Sequence, residues 1–433
     1  MTATDRTARS RRPARRAAVV TAAGAGLLAM LATLAPAALA APADRSSSAG
    51  CHGSVHRTAA DGAGRTSSAE GQDEWSAADA ALGGLTGPGY ATSALGAVRE
   101  DGRLVWRNAT GVAALGGLPA DPEGRFRIGS ATKTFVATTL LQLVGERRLG
   151  LDDRLECLLP GIVPNSTAIT VRQLLNHTSG VANYTQDPAF DSTAPDWQAA
   201  GRFRPYSLQE LVDIADTYPP AFPPGQGWGY SNTNYVLIGM VIERLTGSSW
   251  QEEVTRRIIR PLHLTGTSMP GNSPFVPGSH AHGYLRTADG PVDVTLLDPS
   301  MAGSAGAGIS TTADLTAFLA ALLGGRLLPP AELAEMQRTG PSGGGQSYGL
   351  GLQRVDTPCG TYWGHSGGIP GYTTLMLGSA DGKRQFASDV TVYDVRNSGA
   401  ARAAFNRLTV TALCGPQAAT TATALPDLAH LAP

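Results

Sequence analysis

Lysine is almost missing from this chain. Of 34 basic residues only two are lysines, Lys133 and Lys383. Arginine has taken nearly every surface cation role, so a retained lysine suggests a role arginine cannot fill. Proton transfer is one such role, because an ammonium gives up its proton when its surroundings lower its pKa, whereas a guanidinium stays charged. Cysteine is scarce too. Cys51, Cys157, Cys359 and Cys414 contain no Cys-x-x-Cys, which leaves zinc and thioredoxin-like readings without support. No His-Glu-x-x-His and no phosphate-cradling glycine loop occurs. The net charge of −1 offers no basic footprint for nucleic acid. With 42% hydrophobic and 16% charged residues over 433 positions, the composition suits a globular protein with a sizeable core.

The N-terminal stretch stands apart from that core. Residues 1–16 hold six arginines and one aspartate, Ala17 to Ala35 is apolar and uncharged, and Ala38-Leu39-Ala40 resembles a cleavage site. That is the layout of a secretory signal peptide over residues 1–40, and the small-residue site argues against a lasting membrane anchor. Arg11-Arg12 and Arg15-Arg16 leave the export route open between general and twin-arginine systems. Removing residues 1–40 takes the net charge from −1 to −6. A secreted, extracellular chain can keep disulfides, and Cys359 with Cys414 could close one long loop, worth about 4 kcal/mol by loop entropy.

Residues 41–74, rich in Ala, Ser, Gly and Arg, read as a flexible leader, and 416–433 as a disordered tail. The unit between them, 75–415, changes pattern twice. Ala78 to Leu85 reads as helix. Gly89–Val98 and Leu104–Val112 read as strands joined at Asp101-Gly102, a hairpin signal. Ala131–Arg148 carries an apolar helical face. A mainly helical middle, roughly 149–300, includes Val171–Asn176, Leu208–Asp216 and an almost wholly apolar Thr233–Leu245. A helix over Ala313–Leu323 precedes strands at Tyr348–Val355, Thr361–Gly364, Tyr372–Gly378 and Gln385–Tyr393, and a last helix at Arg402–Leu413. Strands at both sequence ends predict one sheet built from both termini, with a helical insertion.

Three short segments carry chemistry. In Ser130-Ala131-Thr132-Lys133, positions i and i+3 at a helix start bring Oγ and Nζ together, so the lysine can take the hydroxyl proton. The bland reading is a helix-capping serine and a solvated lysine. Tyr230-Ser231-Asn232 follows a Pro/Gly-rich turn. A tyrosine beside a lysine can be pushed toward phenolate and act as a base, and Asn232 could hold a substrate amide. Here the bland reading is a cap for the following helix. His365-Ser366-Gly367-Gly368 sits between strand-like segments, where glycines let a substrate approach with the Gly368 N–H aimed at its carbonyl. It also completes Gly364-x-Ser366-x-Gly368, the nucleophile-elbow pattern, but that needs a helix directly after the serine, and Ile369-Pro370-Gly371 breaks one. His177 is expected to organise a turn. His280 and His282 fit a loop pair better than a metal site, because no carboxylate motif accompanies them.

In this order and at these separations, the motifs resemble the penicillin-recognising serine hydrolases of the class C β-lactamase-like group, and among them secreted D-alanyl-D-alanine carboxypeptidases. The likeness rests on Phe126–Phe135, Ile169–Gly180, Tyr230–Tyr235, Ser304–Ala307, Tyr348–Leu352 and His365–Gly368, and covers 75–415. It implies an α/β (α+β), β-lactamase/transpeptidase-like fold whose antiparallel sheet is flanked by helices. It implies Ser130 as nucleophile, Lys133 and Tyr230 sharing the proton work, and Asn232 holding the substrate amide. His365 and Ser366 would bind the terminal carboxylate, and the N–H groups of Ser130 and Gly368 would form the oxyanion hole. It pairs Cys359 with Cys414. Where that group has His-Thr-Gly, this chain has His365-Ser366-Gly367. Two substrate-contacting positions depart further: Gln353 replaces an arginine that grips the carboxylate, and Met301 replaces a tryptophan at the site mouth.

The expected activity is therefore a penicillin-sensitive D-Ala-D-Ala carboxypeptidase acting on peptidoglycan-type peptides. An esterase or β-lactamase on the same fold is the alternative, and a silent binder of peptidoglycan or β-lactam the third. No cofactor, metal or nucleic acid is expected, the partner is a small peptide or β-lactam, and the chain is expected to be a monomer.

Overall fold

The computed structural model describes residues 69–87, 90–340, 347–392 and 398–415. The expected signal peptide, the tail and most of the leader lie outside those residues, as does Cys51.

Strand β1 (Ala91–Glu100) and strand β2 (Arg103–Gly111) form the expected hairpin. Asp101 and Gly102 have φ of 46° and 78°, both positive, as a two-residue type I′ turn requires. Five more strands come from the C-terminal part: β3 (Ser347–Tyr348), β4 (Gln353–Thr357), β5 (Gly360–Ile369), β6 (Tyr372–Ser379) and β7 (Arg384–Val392). Together they make one seven-stranded sheet in the order β2-β1-β7-β6-β5-β4-β3. Every pairing in it is antiparallel. The N-terminal hairpin docks on the last strand, so both sequence ends do build one sheet.

Both faces of the sheet are covered, which is why its strands read as nearly continuous apolar runs. Successive side chains leave a strand on opposite sides. Leu375 and Leu377 join one core cluster while Met376 between them joins the other. Helices α1 (Ala69–Thr86) and α5 (Ser398–Cys414) pack on the Leu375 side. Helices α2 (Thr132–Gly145), α3 (Asn232–Thr246) and α4 (Thr312–Leu323) belong to the larger cluster on the Met376 side. There the rings of Phe135 and Phe318 stack with centroids 3.7 Å apart. Asp389 sits in β7 opposite Leu95 and Thr374, fully buried, and burial pushes its carboxyl pKa well up.

Some boundaries differ from the sequence reading. α1 begins at Ala69, inside the stretch read as leader, and Trp75 stacks on Trp106 at 5.8 Å. That helical turn is secured by docking on the sheet rather than by its own periodicity. The strand expected over Tyr348–Val355 is interrupted. Gly351 has φ 80°, and a Cβ there would lie 2.4 Å from the Ala137 Cβ, so the chain bends where it passes α2. The strand expected to stop at Gly364 runs on to Ile369. Cys359 and Cys414 are bonded, with Cα atoms 5.4 Å apart and 55 residues between them in sequence. Cys157 is exposed and, among the described residues, pairs with no other cysteine.

Candidate active site

The segment before Ser130 is fastened by backbone. Phe126 and Arg127 pair with Ser310 and Ile309, and the Ile128 N–H donates to Gly308 O at 2.9 Å. Gly129 then turns into a short 3-10 helix, Gly129–Ala131, that leads into α2. Its φ of 47° and its closeness to β5 both require glycine: a Cβ would lie 2.6 Å from Gly368 O. Ser130 is thereby set beside Gly368. No side chain caps either helix start, so the Ser130 hydroxyl is not spent as a cap.

Lys133 is completely buried. Its Nζ lies 2.7 Å from Asn232 Oδ1, 2.8 Å from Ala305 O and 2.9 Å from Ser130 Oγ. No carboxylate bonds to it. Burial alone therefore drives its pKa well below the ordinary lysine value. An uncharged amine has two N–H donors and one lone pair. Asn232 Oδ1 and Ala305 O can only accept, which leaves the lone pair for the Ser130 hydroxyl.

Tyr230 borders the same space, with Lys133 Nζ 4.9 Å from its ring centre. Its hydroxyl is enclosed and, among the described residues, only Ser130 stands near enough to act on it, outside ideal hydrogen-bond geometry. Burial raises its pKa, with Ser130 pulling the other way. Burial thus favours the neutral form of both Lys133 and Tyr230, against the phenolate expected from a charged lysine beside the ring. The capping reading of the second motif also fails in detail. Ser231 holds the N-cap position of α3, but its hydroxyl donates to Ala182 O at 3.1 Å, while the Asn232 amide faces Lys133.

The third motif lies in β5. Up to Gly364 this strand pairs with β4, and beyond it, among the described residues, with β6 alone. Residues 365–369 thus leave one strand edge facing Ser130. Ser366 sits mid-strand and no helix follows it, so the nucleophile-elbow pattern is coincidental here. Its N–H donates to Gln353 Oε1 at 2.9 Å, and Gln353 Nε2 lies 3.4 Å from its Oγ. His365 Nε2 takes the Tyr348 hydroxyl at 2.8 Å, while Nδ1 faces Ser366 O. Burial pushes His365 down to about 3, so the ring is neutral near pH 7. Met301 lies on the turn leading into Gly303–Gly306, and its carbonyl accepts from Tyr184 Oη at 2.8 Å.

Sequence reading named Ser130, Lys133, Tyr230, Asn232, Gln353, His365, Ser366 and Gly368, and the fold brings them to one place. It gave no part to the Ala305 carbonyl, which has no side-chain signal, and it gave Tyr348 only as part of a motif. His177 was read as organising a turn; it does occupy one, with φ 64°, and it also packs against Tyr230 at 4.4 Å between centroids. His280 and His282 stack with ring centres 5.4 Å apart, and His282 Nδ1 lies 2.6 Å from Asp293 Oδ2.

A buried lysine between a serine and an asparagine, beside a tyrosine and an open strand edge, defines a penicillin-binding-protein-like serine hydrolase site. The beta-lactamase family profile matches residues 79–387, and the chain belongs to that family. A D-stereospecific amidohydrolase from Streptomyces sp. shares 39% identity and a TM-score of 0.71, covering 78% of this chain and 98% of that one. The D-amino acid amidase of Ochrobactrum anthropi SV3 shares 28% identity and a TM-score of 0.70 over 78% and 98% of the two chains. Penicillin-binding protein 4* of Bacillus subtilis is 28% identical over 66% of this chain and 65% of its own length, just under two thirds of that relative. Among the described residues no helix is long and apolar enough to cross a membrane.

Proposed function

We propose that this chain is an exported, monomeric serine hydrolase that opens acyl bonds at a D-configured residue through an acyl-enzyme on Ser130. The observation that carries the reading is the Lys133 arrangement, in which Nζ stands 2.9 Å from Ser130 Oγ and its other two contacts are carbonyl oxygens that can only accept, so an uncharged amine would turn its lone pair to Ser130. In acylation the Ser130 proton passes to Lys133 Nζ as Oγ bonds to the substrate carbonyl carbon. The oxyanion faces the N–H groups of Ser130 and Gly368. Tyr230, still protonated, gives its proton to the leaving nitrogen and regains one from Lys133, so the C–N bond breaks without charge build-up. Water then attacks the ester by the reverse route. On the β5 edge Gly368, beside Ser130, would pair with the substrate backbone.

Within that class the leaving side favours an uncharged group. Gln353 and neutral His365 provide no cation for a terminal carboxylate, and both neighbouring solved structures are described as acting on amides or as D-stereospecific. A D-amino acid amide or amide-ended D-peptide is therefore the substrate we favour. A D-Ala-D-Ala carboxypeptidase is the second reading, supported by the penicillin-binding-protein relative and by the motifs. Intact-protein mass spectrometry with benzylpenicillin, beside ammonia release from D-phenylalaninamide and D-Ala release from a D-Ala-D-Ala peptide, tests all of this. An adduct on Ser130 with ammonia release supports the amidase. An adduct with D-Ala release alone supports the carboxypeptidase, and no adduct and no turnover rejects both.

A further inference from the structure

His177 is completely buried, yet it stands in a backbone conformation that few non-glycine residues adopt, with φ 64°. Its ring lies among Tyr230, Tyr348, Tyr235 and Trp228, at centroid distances of 4.4, 4.9, 5.4 and 6.3 Å. Its Nδ1 accepts the Ser231 N–H at 3.3 Å and faces Asn234 Nδ2 at 3.1 Å. Both neighbours are donors there, which fixes Nδ1 as the acceptor and places the ring proton on Nε2. Ser231 is the residue between Tyr230 and Asn232. The imidazole therefore grips the backbone at the midpoint of the second motif while its flat side bears on the Tyr230 ring. The carbonyl of His177 also accepts the Gly229 N–H at 3.0 Å, so both flanks of Tyr230 are tied to one residue.

We propose that His177 is a positioning residue for the proton-transfer groups, holding Tyr230 and Asn232 in register with Lys133. The inference rests on the acyl-enzyme reading above. Purely structural filling would need any ring of that size. Positioning needs an acceptor at Nδ1 and tolerance of positive φ. Asparagine supplies both, because its Oδ1 occupies the same branch position and it adopts the left-handed region readily. Glycine supplies the backbone but no acceptor.

The test is the rate of Ser130 acylation by a fluorescent penicillin, at saturating probe and as a function of probe concentration, for the wild-type, His177→Gly and His177→Asn chains. Displacement of a catalytic group by about 1 Å can cost about 100-fold. His177→Gly should slow the limiting acylation step by about that factor, with the half-saturating concentration moving less than about threefold. His177→Asn should recover at least about tenfold of it. Equal rates for wild-type and His177→Gly, or no recovery in His177→Asn, overturn the inference while leaving the acyl-enzyme reading intact. If His177→Gly does not melt cooperatively, His177→Asn decides alone: a rate within about tenfold of wild type supports positioning, and a full loss overturns it. Failure of the wild-type chain both to label at Ser130 and to turn over a D-amino acid amide or D-Ala-D-Ala peptide sinks the acyl-enzyme reading, and this inference with it.

Discussion

Gln353 and Ser366 face each other across two adjacent strands and are joined twice, by the Ser366 N–H to Oε1 at 2.9 Å and by Nε2 near Oγ at 3.4 Å. Gln353 is 4% exposed, so this amide is part of the wall rather than a mobile surface group. The serine that would meet a substrate's leaving side is held by a neutral partner. Gln353→Arg introduces a fork able to take a carboxylate through two N–H groups. The ratio of kcat/KM for a free-acid D-dipeptide to that for its amide should rise about tenfold or more, equivalent to about 1.4 kcal/mol. An unchanged ratio would refute the assignment of this wall to the leaving side.

Lys133→Arg should abolish acylation even where the chain folds. A guanidinium cannot give up its proton, and its planar fork does not fit three oxygens around one nitrogen. We expect kcat to fall by about 10³-fold or more, in line with the loss of a general base acting on a serine. Single-turnover labelling by a penicillin, read by mass, checks this, and Ser130→Ala should give no adduct at all.

The buried histidines make the fold acid-sensitive. His365 has its pKa depressed from 6.5 to about 3, and His177 is also held well below its ordinary value, both chiefly by burial. A base with a depressed native pKa is protonated first in the unfolded chain. Stability is therefore full above pH 6.5 and is lost as the pH falls toward 3. His365 costs roughly 1.4 kcal/mol per pH unit in that window, and His177 adds to the loss in the same direction. Urea midpoints measured between pH 7 and pH 4.5 should fall accordingly, and the slope should flatten in His365→Asn.

Asp389 has the opposite sign. Burial raises its carboxyl pKa well above 3.8 and so favours the protonated form in the native sheet. The unfolded chain releases that proton above the ordinary carboxyl range, so the group withdraws stability as pH rises. Asp389→Asn keeps the shape without the titration. It should stabilise the chain at pH 8 by about 1–3 kcal/mol, the usual scale for an ill-matched buried polar group. It should change little at pH 4. Equal gains at both values would disprove the argument.

Reduction of the Cys359–Cys414 bond, or Cys414→Ser, should lower stability by about 4 kcal/mol on the loop-entropy scale. The bond ties the start of β5 to the end of α5, remote from Ser130. Acylation rates below the melting transition should therefore be unchanged.

Much of the site was legible in the sequence because its parts are side chains with unusual company. Lys133 stood out in an arginine-rich chain, and Asp101-Gly102 announced the first hairpin. What escaped notice was carried by backbone or by packing. The Ala305 carbonyl has no signature in composition. Gly351 broke an expected strand because α2 passes beside it, a fact of tertiary approach. A phenolate at Tyr230 is expected from lysine proximity alone, whereas burial, which sequence cannot show, favours the neutral form of both groups. His177 looked like a turn residue, and it is one, but a one-dimensional pattern cannot show which ring it leans on.

The sheet sets a rule of timing. β1 is completed early in synthesis, but its partner β7 and the edge-bearing β5 come only near the end. Ser130 and Lys133 therefore exist as covalent neighbours long before the wall opposite them does. A ribosome-bound chain carries the serine without the strand edge that lies beside it in the finished fold. Truncation anywhere before β7 would yield no weaker version of the hydrolase, only an unclosed sheet.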